Sequence, residues 1–233
     1  MMSEILINDK NDFPAGLLGK IYTKLFGNTT NGYLVEIGVG NCLPSKGCGS
    51  NTANLADIGW TGLYIEANPN YIDEIKERHK DNNVEIINAA AGDVVADVNL
   101  KGDTTDIATR DAFNKLGWYA NVEDDPDLVV KQRPINDILE DANSPAKFEL
   151  MTIDVEGVEH KIIGSLDFNR WRPAVVMLET RYNDNHFISN FPDLVEKSKQ
   201  AAQTLLDNGY RVVYEDHQNS FFLSDLLGGA VLK

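Results

Sequence analysis

Short apolar runs of strand length alternate along this chain with stretches of helical spacing, and that alternation constrains the fold more than any other feature. Runs at 33–37 (YLVEI), 62–66 (GLYIE), 84–88 (VEIIN), 148–153 (FELMTI) and 174–179 (AVVMLE) each suit a buried strand. Helical patterns lie between them, at 52–58, from Asn68-Pro69 to about Lys80, at 135–141 and at about 158–166. Strands joined by helical crossovers pair in parallel, and ligands on such sheets bind at the strand carboxyl ends where the strand order reverses. A further helix is expected at 14–27 (PAGLLGKIYTKLFG), and a long amphipathic one from about Pro192 to Asn208, stopped by Gly209. Two closing runs, 210–214 (YRVVY) and 220–223 (SFFL), read as an antiparallel hairpin. The expected class is α/β: a doubly wound, mostly parallel seven-stranded sheet with helices on both faces and an antiparallel C-terminal hairpin.

With 233 residues, 42% of them hydrophobic, the chain can build a full core and is expected to form a single domain over 1–233. Residues 93–131 break the rhythm. Gly102, Gly117, Trp118 and the acidic run Glu123-Asp124-Asp125-Pro126-Asp127 favour a hairpin or an irregular insertion there. The net charge of −15 repels phosphate backbones and anionic lipids, so neither nucleic acid nor membrane is an expected partner. No apolar run reaches bilayer length, and Met1 to Asp12 lacks the basic start and apolar block of a signal peptide. Two cysteines, Cys42 and Cys48, are too few for a disulfide framework, and the expected location is the cytoplasm.

The first strand ends in Glu36-Ile37-Gly38-Val39-Gly40-Asn41. Gly38 and Gly40 lack the β-carbons that would keep a ligand off the backbone, although paired glycines also serve ordinary turns. The second strand ends in Glu66-Ala67-Asn68. A carboxylate there can accept the ribose hydroxyls of an adenosine, or can simply sit at a helix N-terminus. A dinucleotide fingerprint needs a third glycine where Leu43 stands, and Ser45-Lys46-Gly47 does not have P-loop spacing. An adenosine without a pyrophosphate, as in S-adenosylmethionine, fits best. The third strand ends in Asn88-Ala89-Ala90-Ala91-Gly92-Asp93, small residues that either admit a flat adenine or close a turn.

Chemistry is expected at the next two strand ends. Asp154 follows the fourth strand and Glu156 stands two residues on. Asp154 could be a base, a metal ligand or an anchor for an amino group; alternatively, both acids cap the following helix. Glu159 and His160 read as surface residues of that helix. Glu179 ends the fifth strand, and with Asp154 it could hold Mg²⁺ through oxygen ligands. In the polar loop from Thr180 to His186, His186 is the candidate general base by position, or else an ordinary exposed histidine. Trp118, Tyr119 and Trp171 could stack on a sugar or belong to core and lid.

Six segments together carry a resemblance: LVEIGVG (34–40), SNT (50–52), GW-x-GLYIEANP (59–69), NAAAGD (88–93), TIDVEGVEHKII (152–163) and PAVVMLE (173–179). They resemble the FkbM family of methyltransferases. The resemblance implies a class I, Rossmann-like methyltransferase fold with S-adenosylmethionine as methyl donor. It implies O-methylation of a saccharide or another small hydroxylated metabolite. Residues 93–131 have no clear match in the family and are expected to carry acceptor specificity. The resemblance places Glu36, Gly38, Gly40, Asn51, Thr52, Glu66 and Ala90 in the cofactor pocket, with Ala67 and Asp154 beside them. Asp154, Glu156 and His186 remain the catalytic candidates. Two alternatives compete. A nicotinamide-dependent dehydrogenase or epimerase would want a third loop glycine and a Tyr-x-x-x-Lys pair, and neither is present. A non-catalytic nucleoside-binding module would keep the fold without the chemistry.

Overall fold

The computed structural model describes residues 15–27, 29–41, 49–100, 104, 105, 109 and 128–226. In chain order the first half contains α1 (Ala15–Phe26), β1 (Tyr33–Ile37), α2 (Ala53–Asp57), β2 (Thr61–Glu66), a 3₁₀ turn (Pro69–Tyr71), α3 (Ile72–Arg78), β3 (Val84–Asn88), β4 (Ala90–Gly92) and β5 (Ala96–Leu100). The second half contains β6 (Leu128–Pro134), α4 (Ile135–Asp141), β7 (Lys147–Ile153), α5 (Glu159–Ser165), β8 (Arg172–Glu179), α6 (Asn185–Asn190), α7 (Pro192–Asp207), β9 (Tyr210–Glu215) and β10 (Asn219–Ser224).

Seven strands form the main sheet in the order β3-β2-β1-β7-β8-β10-β9. The first five are mutually parallel, while β10 runs antiparallel to both β8 and β9. This is the doubly wound sheet with an antiparallel C-terminal hairpin that the alternation predicts. The strand order reverses between β1 and β7, so the crevice opens at the carboxyl ends of those two strands.

The two-residue period of the strands builds a core on each face. Val35, Ile37, Leu63, Ile65, Met151, Ile153, Val176 and Leu178 face α4, α5 and α7. Leu34, Tyr64, Leu150, Val175 and Met177 face the other way, against α1 and α3. Continued toward the carboxyl ends, this second row reaches Glu36, Glu66, Asp154 and Glu179. Four of the strands therefore carry a carboxylate at or just past their carboxyl ends. Pairing of Ile153 with Leu178 brings Asp154 and Glu179 next in line, side by side.

A second sheet has the order β4-β6-β5. The β5–β6 pair is antiparallel, as a hairpin within 93–131 would be, and β4 joins parallel to β6. The sequence pattern does not reveal β4, because three small residues carry no strand signal. Trp118, Tyr119, Cys42, Cys48 and the segment Met1 to Asp12 lie outside the described residues. So does most of the insertion. Among the described residues no helix is long and apolar enough to cross a membrane.

Trp60 anchors α1 to the sheet. It is fully buried, its Nε1 donates to the Thr29 carbonyl at 2.7 Å, and its ring meets Phe26 of α1 edge-on at 5.1 Å. Trp60→Ala should cost about 3–5 kcal/mol, the range for deleting a buried aromatic. Urea unfolding monitored by circular dichroism measures the loss; an unchanged midpoint would mean that α1 is held by other contacts.

Candidate active site

At the switch point the backbones of β1 and β7 come together without a side chain between them. Asp154 N–H donates to the Ile37 carbonyl at 2.9 Å, and Gly38 N–H donates to that of Ile65 at 3.0 Å. Gly38 has φ +83°, and a β-carbon there would stand 1.7 Å from the Asp154 carbonyl oxygen. No other residue fits both the left-handed backbone and that distance.

Glu66 ties the glycine loop to the end of β2. Its Oε2 accepts N–H bonds from Val39 at 3.0 Å and Gly40 at 2.9 Å, and its Oε1 accepts from Asn68 at 2.7 Å. Ala67 and Ala90 lie next to it, in a small apolar cluster with Leu100 and Val130.

Glu36 organises the loop before α2. Ser50 Oγ, Asn51 N–H and Thr52 Oγ1 all donate to its carboxylate, each at 2.5 Å. Asn51 is the hub of this region. Its carbonyl accepts from the Tyr22 hydroxyl of α1 at 3.0 Å, and its Nδ2 donates to Asp154 Oδ2 at 3.2 Å. Complete burial pushes the Glu36 carboxyl up to about 7, against the three donors that hold it down.

Carboxylates converge beyond Asp154. One oxygen from each of Asp154, Glu156 and Glu179 lies within 4.8 Å of the others. Burial raises Asp154 above the ordinary carboxylate range, while Asn51 and Arg181 oppose the shift. Glu179 is raised well above that range by burial, then by the charges of Asp154 and Glu156. Arg181 forms an ion pair with Glu179 and stacks over the Phe187 ring at 4.8 Å. Burial works against the guanidinium charge, but Glu179, Glu156, Asp154 and Glu159 more than offset it.

The turn that carries these acids has an unusual backbone. Glu156 has φ +57° and Gly157 has φ +111°. A β-carbon on Gly157 would sit 2.1 Å from Thr109 Oγ1, and Thr104 Oγ1 donates to the Glu156 carbonyl at 2.8 Å. Residues of the 93–131 insertion thus pack directly on the turn.

The structure links Glu36 to Asn51 and Thr52, Asn51 to Asp154, Gly38 to the Asp154 carbonyl, and Asp154 to Glu156 and Glu179, while Glu66 binds the glycine loop. His186 stands apart from them. It is exposed on α6, and its contacts are Asn190, Phe187 and Phe191. The expected loop from Thr180 to His186 turns into that helix because the Asp184 side chain accepts from the His186 and Phe187 N–H groups. Glu159, expected on the surface, is only 4% exposed, and its Oε1 accepts the N–H groups of Val155 and Gly157. Trp171 is 3% exposed in the core, so it offers no stacking face. Sequence reasoning also missed Arg181. Its signal was a lone cation two residues after a strand-end acid.

Three comparisons bear on this geometry. The family model for the methyltransferase FkbM domain matches residues 37–212. No curated protein matches the chain. Among solved structures, a Methanococcus jannaschii fibrillarin pre-rRNA processing protein is similar at 16% identity, over 85% of this chain and 68% of that one, with a TM-score of 0.42. A Methanosarcina mazei SAM-dependent methyltransferase is similar at 12% identity, over 88% and 94%, with a TM-score of 0.44. The MycE methyltransferase of the mycinamycin pathway, solved with Mg, SAH and mycinamycin VI, is similar at 10% identity, over 89% and 48%, with a TM-score of 0.45. The chain thus spans about half of the MycE chain's length.

The raised Glu36 carboxyl makes stability depend on pH. A folded-state value of about 7 against an ordinary 4.5 favours the protonated form in the fold. Its stabilising contribution is therefore complete below pH 4.5 and is lost as pH rises through about 7. The loss is about 3 kcal/mol, since each tenfold change in proton affinity is worth roughly 1.4 kcal/mol. Glu36→Gln should remove this dependence, so urea midpoints of the two proteins should diverge between about pH 5 and pH 8. Parallel profiles would show that Glu36 titrates normally.

Proposed function

This chain belongs to the FkbM methyltransferase family, and from that premise we propose that it transfers a methyl group from S-adenosylmethionine to a hydroxyl of a saccharide or another small metabolite. The observation that carries the reading is the Glu66 carboxylate bound to the glycine loop at the reversal of strand order, with three convergent carboxylates at the ends of β7 and β8. A strand-end carboxylate accepts hydrogen bonds from hydroxyls, which fits the ribose of an adenosine. Ala67 and Ala90 leave room beside Glu66 for a flat base. Asn51 and Asp154 would face the amino-acid end of the donor. The acidic chain, at net −15, favours a neutral acceptor over a phosphorylated one.

The donor supplies a methyl group on a sulfonium, which carries its own leaving group. What this chain must add is alignment, chiefly an orientation effect, and a place for the proton of the acceptor hydroxyl. Asp154, Glu156 and Glu179 are oxygen acceptors grouped at one point, and a hydroxyl donating to one of them would be activated as its proton departs. Arg181 holds Glu179 in place through their ion pair. The same three convergent oxygens favour a second reading, in which Mg²⁺ is held by Asp154, Glu156 and Glu179; an all-oxygen set suits that hard cation.

A thermal-shift series with S-adenosylmethionine, S-adenosylhomocysteine, NAD and NADP tests the donor. A ligand at about a hundred times its Kd adds roughly 2.7 kcal/mol, a rise of several degrees for a domain of this size. The rise is expected with the two adenosyl-sulfur ligands only, and should shrink in Glu66→Ala. A rise with NAD or NADP alone would overturn the proposal in favour of a dehydrogenase or epimerase. Donor binding with no methyl transfer to any of a panel of neutral sugars and polyols would favour the non-catalytic module. For the cation, a millimolar excess of Mg²⁺ should raise the midpoint of the wild type and not of Glu179→Gln if the second reading holds.

A further inference from the structure

Glu159 is a deeply buried acid beside the reaction site that the proposed transfer does not use, and its position is unusual. It lies at the first residue of α5 and is 4% exposed, yet its side chain turns back along the chain. One oxygen, Oε1, accepts from two backbone donors at once: Val155 N–H at 3.1 Å and Gly157 N–H at 3.0 Å. Those two donors flank Glu156, whose φ is +57°. A backbone in that region is costly for a residue with a side chain and persists only where its surroundings hold it. On the other side, Thr104 Oγ1 donates to the Glu156 carbonyl. The turn is therefore gripped at residues 155 and 157 from α5 and at 156 from the insertion.

We propose that Glu159 is the positioning residue of the site: by accepting from Val155 and Gly157 it fixes the turn between Asp154 and Glu156, and so sets where both carboxylates stand relative to Glu179. The proposal rests on the donor reading above for its functional consequence, though not for its geometry. What it needs is an acceptor oxygen at the reach of a glutamate. Reach rather than charge carries the effect: burial raises the carboxyl, the N–H groups of Gly157 and Val155 oppose that shift, and Asp154 adds to it.

Two variants separate reach from charge. Glu159→Gln keeps a carbonyl oxygen at the same reach and removes the charge. Glu159→Asp keeps the charge and falls one methylene short of the two donors. Amide hydrogen exchange at Val155 and Gly157 reads the turn directly, and S-adenosylhomocysteine affinity by calorimetry reads the site. Glu159→Asp should lose about tenfold in both exchange protection and affinity, the scale of one or two ordinary hydrogen bonds; Glu159→Gln should stay within about threefold of wild type in both. Circular dichroism confirms that each variant is folded at the temperature used. A loss in Glu159→Gln with none in Glu159→Asp would assign the effect to charge and overturn the proposal; equal losses in the two variants would also overturn it, since reach alone would then not decide the effect, as would unchanged exchange in Glu159→Asp. If wild type ignores S-adenosylhomocysteine, the donor reading falls, and the exchange pattern alone still decides the positioning.

Discussion

The site depends on a backbone contact. At the junction of β1 and β7 the Gly38 α-carbon and the Asp154 carbonyl approach so closely that any β-carbon would overlap the oxygen. That contact fixes the glycine loop against the strand that delivers Asp154. Through the loop it sets Val39 and Gly40, whose N–H groups hold Glu66. Through Asp154 it sets Asn51, the residue that Glu36 and Tyr22 hold from two other elements. These contacts link strand ends that are distant in sequence, Glu66 through the glycine loop and Asn51 through Asp154.

Electrostatics gives that unit its character. Two full charges within 4.8 Å repel by roughly 3–4 kcal/mol at an effective dielectric near 20. Asp154, Glu156 and Glu179 cannot all hold a full charge at that distance at low cost: burial raises Asp154, and burial followed by the charges of Asp154 and Glu156 raises Glu179. Arg181 relieves part of the repulsion and is itself held charged by the cluster. Relief of the remainder requires protons, a metal cation or a cationic ligand. A sulfonium donor with an amino group has the right sign, so the same crowding that destabilises the cluster by itself favours the proposed cofactor.

Much of this was legible in the sequence because it rests on period and position. The residues that end each strand, Glu36, Glu66, Asp154 and Glu179, follow from the two-residue alternation and the crossover rule. The spacing of Gly38 and Gly40 was visible for the same reason. What escaped reading depends on three-dimensional packing. Glu159 follows a helix-start pattern that normally leaves the acid in solvent, and nothing local says that its side chain turns back under Val155 and Gly157. Arg181 has no periodic signature, and only the pairing of β7 with β8 brings it to the cluster. The helix at Asn185–Asn190 was hidden in a polar stretch whose one signal was the capping aspartate, Asp184.

A crystal structure with bound S-adenosylhomocysteine tests the arrangement most directly. The predicted result places the ribose hydroxyls on the Glu66 carboxylate and the amino-acid end beside Asn51 and Asp154, with the sulfur facing the carboxylates of Glu156 and Glu179. A ligand seated away from the Gly38–Asp154 junction, or one bound there with neither ribose hydroxyl on the Glu66 carboxylate, would contradict it.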